Sequence, residues 1–190
     1  NRGAYLENCV NSVLRNMPGV PFKVYDDGSD DPSTVAYLKS LGERVAHMKS
    51  ASDDRHGGYY NNMQFALQSS NADYLLMLQD DLQIVRAFGD QDLNHLHQVF
   101  EANPSVAFVS PLFMKGSKRD YFQQRYQPDD HLRCYRWLAD PSETNKVPQK
   151  YADIALLHVA RLRSGGWQFA ASEAGNGELA DQLWGDMIQA

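Results

Sequence analysis

Five apolar residues, Tyr74-Leu75-Leu76-Met77-Leu78, run through Gln79 into the adjacent carboxylates Asp80 and Asp81. An apolar run of this length, bounded by Asn71-Ala72-Asp73, reads as a buried strand. The chain thereby delivers two neighbouring negative charges to the carboxyl edge of a sheet, where open α/β sheets bind ligands. A second case lies upstream, where Val20-Pro21-Phe22-Lys23-Val24-Tyr25 leads into Asp26-Asp27-Gly28-Ser29-Asp30-Asp31. If both strands are parallel members of one sheet, both acidic clusters face one crevice. Carboxylates gathered there point to a cation and a phosphorylated ligand.

The segments between these strands read as helices. Leu6, Val10, Val13, Leu14 and Met17 recur at helical spacing over residues 4–17, and Pro18-Gly19 closes the segment. A helix over 33–41 is expected, with Ser33 as its N-cap, then a short strand over 44–48, a polar Gly-rich stretch and a helix over 59–69. Leu93, Leu96, Val99 and Phe100 mark a further amphipathic helix, and Val106-Ala107-Phe108-Val109-Ser110 the strand behind it. This alternation predicts an α/β fold: a Rossmann-like, open, mostly parallel sheet flanked by helices. From Pro111 to Lys150 the pattern is lost among aromatic residues, charges and prolines, which suggests a substrate-facing insert. A strand over 154–158 and a helix over 178–188 close the chain, and 190 residues suit one domain.

Composition excludes several classes. A formal charge of -6 argues against a general affinity for nucleic acid, the cluster Lys115, Lys118, Arg119 and Arg125 being the one local exception. No apolar stretch is long enough to span a bilayer, and the start lacks the layout of a signal peptide, so a soluble chain is expected. Cys9 and Cys134 fit neither a disulfide framework nor a Cys-based zinc site. As buried free thiols they favour a reducing, cytoplasmic compartment.

Each acidic cluster also has an ordinary structural explanation. Asp27-Gly28 is a hairpin signal, and surface turns are rich in Asp. Asp80-Asp81 could be a solvated strand end. A calcium loop of the EF-hand type is excluded, because Lys23 and Tyr25 stand where it needs acidic or amide residues. The conjunction of both clusters in one α/β pattern favours the functional reading. Gly57-Gly58 could let backbone amides approach a phosphate, with Arg55 and His56 beside them to supply charge. Tyr135, Trp137 and Trp167 suit either a sugar face or a core. His95 and His97 lie two apart on a helix, face apart, and make no metal site.

Taken together, Asp26-Asp27-Gly28-Ser29-Asp30 and, about fifty residues later, Leu78-Gln79-Asp80-Asp81-Leu82 resemble the A-type fold of nucleotide-sugar-dependent glycosyltransferases, family 2. Asn1-Arg2 followed by a helix resembles the end of that family's first strand and the start of its first helix, so the first strand itself is missing from this chain. The resemblance is close over 1–110, the nucleotide-sugar-binding half, and looser over 111–190, the acceptor-side half. It implies that Asp27 contacts the uracil or ribose of a UDP- or GDP-type donor, that Asp80 lies near its ribose and diphosphate, and that Asp81 ligates Mn²⁺ or Mg²⁺. Gln79 departs from the acidic residue that commonly opens the family's DxD motif, and the family's Glu-Asp pair for the base has no clean match.

Physical chemistry asks for the same cation. A carboxylate about 4 Å from a phosphate repels it by roughly 4 kcal/mol per unit-charge pair at an effective dielectric of 20. His158, ending a strand, is a candidate third ligand. Transfer to an acceptor hydroxyl with inversion needs a carboxylate base. Glu173, following the Gly165-Gly166-Trp167 turn, is the candidate, with Glu178 and Asp181 as rivals placed at a helix start, where acids commonly complement the dipole. The expected activity is metal-dependent transfer of a sugar to a carbohydrate or other hydroxyl acceptor. The alternatives are a non-catalytic nucleotide-sugar-binding domain and a nucleotidyltransferase, although the latter's Gly-rich basic phosphate loop is not visible near the start.

Overall fold

A computed structural model describes residues 2–47, 57–110, 126–137, 155–172, 175–176 and 188–189. In chain order the elements are α1 (Gly3–Asn16), β1 (Val24–Asp26), α2 (Pro32–Leu41), a 3₁₀ turn (Gly42–Arg44), β2 (Val45–His47), α3 (Gly57–Ser69), β3 (Tyr74–Leu76), α4 (Asp90–Ala102), β4 (Phe108–Ser110), β5 (Tyr126–Asp129), β6 (Cys134–Trp137), β7 (Leu156–His158), α5 (Val159–Ser164) and β8 (Ile188–Gln189). The α/β alternation expected from sequence is present, but β1 and β3 belong to two separate sheets rather than one, and the larger sheet pairs mainly antiparallel. β1 and β2 pair in parallel, Val24 opposite Val45 and Asp26 opposite His47, and α2 makes the crossover between them.

The larger sheet has the order β3-β7-β4-β8-β6-β5. β7 runs antiparallel to both β3 and β4 and lies between them, so β3 and β4 share one direction. β8 adds to β4 in parallel, and the β5–β6 hairpin joins through an antiparallel β6–β8 pair. These central strands bury side chains on both faces. Phe108 and Leu157 pack with Leu67, Leu162 and Trp167 on one side; Val109 and Leu156 pack with Leu96, Val99 and Phe100 of α4 on the other. Two buried faces leave no polar position to alternate with, which is why these strands read as continuous apolar runs.

α5 ties the two layers together. The Arg161 guanidinium donates to the carbonyls of Phe100, Asn103 and Val106, closing the end of α4. Arg163 donates to those of Leu67, Gln68 and Ser70, closing the end of α3. Cations belong at helix C-termini, where the last carbonyls lack intrahelical partners.

Several sequence expectations need correction. Asp31, not Ser33, caps α2: its carboxylate accepts from the Thr34 amide at 2.9 Å and from the Ser33 and Thr34 hydroxyls, which hold its pKa down to about 2. Leu14, assigned to the apolar stripe of α1, is 45 % exposed. Part of the patternless stretch is the β5–β6 hairpin. Its four-residue strands mix Pro128 and Asp129 with aromatics and so show no clean period of two. Its turn is held by Asp129, which accepts from the Leu132 amide and the Arg136 guanidinium. Ile188, expected at the end of a helix, pairs as a strand with Val109; residues 178–187 lie outside the described residues. Trp167 belongs to the core rather than to a sugar face: it is 2 % exposed, with ring contacts to Phe108 at 5.0 Å and Phe169 at 5.5 Å. Tyr135 is exposed, and the side chain of Trp137 lies outside the described residues.

Removing a side chain enclosed this fully leaves a cavity the neighbours fill only in part. Trp167→Ala should therefore lower unfolding free energy by about 3 to 5 kcal/mol, seen as a lower urea midpoint with an unchanged slope. A loss under about 1 kcal/mol would mean that the ring is not part of the core.

Candidate functional site

The first acidic loop begins at a buried residue. Asp26 accepts hydrogen bonds from the amides of Gly28, at 3.1 Å, and Ser29, at 3.0 Å. The tight turn this makes is completed by Gly28 at a φ of +84°, a left-handed conformation that suits glycine. Asp26 thus shapes the loop and frees Asp27 to project from it.

The Asp27 carboxylate lies on the first turn of α3. A Cβ built at Gly58 would come within 1.7 Å of Oδ2 and 2.1 Å of Oδ1, so the missing side chain of Gly58 is the space the carboxylate occupies. The Gly57-Gly58 pair does receive an anion at a helix N-terminus, favoured by the helix dipole, but that anion belongs to the protein itself. α3 also reaches the segment before Glu173. Phe169 donates its amide to Gln64 Oε1 at 2.8 Å, Tyr25 meets Phe65 edge-on at 6.2 Å, and Asn176 ties residues 170–172 through three hydrogen bonds.

The second loop leaves β3 through a turn closed by the Leu82 amide on the Gln79 carbonyl, with Asp80 and Asp81 at its tip. α1 lies along it. Cys9 Sγ faces the Gln79 carbonyl at 3.5 Å, the Ser12 hydroxyl accepts from the Ile84 amide at 2.9 Å, Asn16 donates to the Ile84 carbonyl, and the Asn16 carbonyl accepts from the Phe88 amide. Arg2, the N-cap residue of α1, forks across the acidic pair: Nη1 lies 3.1 Å from Asp80 Oδ1 and Nη2 lies 2.7 Å from Asp81 Oδ2. Burial raises the Asp80 pKa, Arg2 lowers it, and the neighbouring Asp81 raises it. Burial, with the same two carboxylates, pushes the Cys9 thiol up to about 11. Burial and this upward shift suit a thiol that packs against the loop.

One contact brings the two loops together. A Cβ at Gly3 would lie 2.8 Å from Thr34 Oγ1 and 3.2 Å from its Cα, so the first turn of α1 rests directly on the first turn of α2. That turn ends the 26–31 loop, while the same end of α1 carries Arg2 to Asp80 and Asp81.

His158 is not brought there. It pairs with Tyr74, the first residue of β3, whereas the acidic pair follows the opposite end of that strand. Its ring packs edge-on against Tyr74 and Phe100, each at 5.4 Å, and burial, then Arg161, lowers its pKa. The pairing of β7 with β3 runs away from the site, so His158 cannot be the third ligand. Glu173 and Arg55 lie outside the described residues, as do Glu178, Asp181 and His56. Arg2 was not identified from sequence. The available signal was a basic residue at a helix N-terminus, the end whose dipole disfavours it, with two unmatched carboxylates elsewhere in the chain.

Among the described residues no group of three or more His, Cys, Asp or Glu could hold a metal ion. Two adjacent carboxylates still fit a hard cation that completes its shell with phosphate oxygens and water, as Mg²⁺ commonly does. Among the same residues no helix is long and apolar enough to cross a membrane.

The α/β fold is of the GT-A type. The model of glycosyl transferase family 2 matches residues 1–166, and the chain belongs to that family. A crystal structure of S. aureus TarS 1-349 is similar in fold at 12 % identity, with a TM-score of 0.57 over 98 % of this chain and 54 % of that one. The chain thus spans about half the length of that structure. No curated protein sequence matches it.

The Asp27–Gly58 contact yields a test by double-mutant cycle. Gly58→Ala should destabilise the protein, because the new methyl group expels the Asp27 carboxylate. In an Asp27→Ala background the same change should be neutral, or stabilising by about 0.4 to 1 kcal/mol, as Gly→Ala is where no clash exists. The coupling expected from urea titrations is about 0.5 to 3 kcal/mol; additive effects would show that the two residues do not meet.

Proposed function

We propose that this domain transfers a glycosyl group, with inversion, from a UDP- or GDP-type nucleotide sugar to a carbohydrate or other hydroxyl acceptor, with Mn²⁺ or Mg²⁺ at Asp81. The observation that supports the reading is that the first turn of α1 both rests on the first turn of α2, which follows the 26–31 loop, and carries Arg2 to Asp80 and Asp81. Family membership supports a nucleotide-sugar donor.

In this reading Asp27 accepts hydrogen bonds from the base or ribose, Asp80 orients the ribose and diphosphate, and Arg55 supplies charge to the donor. Asp81 would hold the cation, which when bound would supply Lewis-acid stabilisation to the departing diphosphate. Glu173 takes the proton from the acceptor hydroxyl on the face opposite the leaving group. α3 and Asn176 tie down the 167–172 segment that precedes Glu173. The two free, buried thiols favour a reducing, cytoplasmic setting.

Calorimetry of UDP and GDP binding with and without Mn²⁺ tests the cation. Asp81→Ala should abolish the metal-dependent part, weakening binding about tenfold or more; equal affinities in wild type and variant would remove Asp81 from the role.

Glu173→Gln tests the chemistry in the full chain against a panel of hydroxyl acceptors. The amide keeps shape but cannot accept the proton, so turnover should fall by about 10² to 10⁴ with donor affinity little changed. Undiminished turnover would shift the role to Asp181 or Glu178. Donor binding with no transfer by either protein would favour a non-catalytic nucleotide-sugar-binding domain.

A further inference from the structure

The acidic pair already has a cation, and it is a side chain. Arg2 gives one nitrogen to each carboxylate, so the oxygens that face its guanidinium are ones a divalent ion would need. A metal bound at the same oxygens competes with the guanidinium for their lone pairs and is repelled by it across a few ångström.

Three features distinguish Arg2 from an arginine built in for good. Its side chain is 49 % exposed, and Asp81's is 43 % exposed, so separating them returns both charges to water rather than stranding either in the interior. Its place at the N-terminus of α1 is the wrong end for the helix dipole, so the carboxylates, not the helix, account for it there. Its guanidinium also lies 5.2 Å from the exposed Tyr5 ring, a partner on its own helix that does not depend on the carboxylates. Arg161 and Arg163 are the contrast: each grips three backbone carbonyls and closes a helix end.

We infer that Arg2 is a displaceable internal counter-ion: it neutralises Asp80 and Asp81 in the metal-free protein and leaves them when the divalent cation binds. The inference rests on the assignment of Asp81 as the cation's ligand. Its consequence is a reduced apparent metal affinity, since the cation binds only the fraction of molecules in which Arg2 is away. Arg2 also suppresses the mutual repulsion of two adjacent carboxylates while no metal is present. The protein therefore tolerates an acidic edge without a resident ion and takes one up more readily once a diphosphate contributes further charge.

The test is Mn²⁺ binding to the full chain, followed through the resonance of free Mn²⁺, without nucleotide, for wild type, Arg2→Ala and Arg2→Gln. Both variants should bind Mn²⁺ more tightly, by about threefold to tenfold, the scale of an exposed but two-pronged ion pair. Asp81→Ala should abolish the gain. Melting temperatures give a second readout: the Arg2 variants should melt lower than wild type without Mn²⁺ and gain more on its addition. Equal or weaker Mn²⁺ binding by both Arg2 variants overturns the inference while leaving Asp81 as ligand. No Mn²⁺ binding by any of the proteins, with or without UDP or GDP, overturns both.

Discussion

Leu156 and Leu157 are successive residues of β7 that face opposite sides of the sheet, and each lands in a separate core. Alternation in a strand requires that arrangement, and it constrains everything around it. α4 must cover one face, while α3, α5 and Trp167 cover the other. Both helices that approach the sheet then end on arginines of α5, the element that leaves β7 directly. The apolar layers therefore fix where α3 begins, and the start of α3 is where Asp27 comes to rest.

The site is built on charge placement within that frame. Asp26 is spent on its own turn, Asp31 on the cap of α2, and Asp27 on the first turn of α3. Of the carboxylates in the two loops, Asp80 and Asp81 are paired by the single flexible side chain of Arg2. An acidic cluster in sequence is thus divided in space between residues bound into loops and residues paired with an exposed side chain. Exchanging the exposed Arg2 for a ligand leaves the turns built by Asp26 and Asp31 in place.

α1 shows how closely a helix can serve a loop. Its buried face carries Cys9 and Ser12 to the Gln79–Ile84 segment, and its last residue reaches Phe88. The first two are side chain to backbone contacts and the last is backbone to backbone, all between residues more than sixty apart in sequence. They hold the tip with Asp80 and Asp81 against the first turn of α1, so any cation chemistry there depends on a helix that contributes no carboxylate.

The strands and helices around both acidic loops were legible in the chain because burial is written as periodicity: apolar runs for two-sided strands, helical spacing for α1 and α4. Asp27, Asp80 and Asp81 followed from their place after such runs. Three things were not legible. The β5–β6 hairpin carries too mixed a side-chain set to show a period. His158 reads as a strand-end histidine, but a strand's direction within a sheet is decided by its neighbours, and β7 runs opposite to β3. Arg2 stands seventy-eight residues before Asp80, a separation that no local pattern records. The sequence by itself determined the strands and helices around the two acidic loops and which turns carry acid, because local burial and turn chemistry are encoded residue by residue. Only the tertiary structure decided which acids meet, which cation they meet and which histidine is turned away, because those depend on pairing and packing between segments that have no signature in one another's sequence.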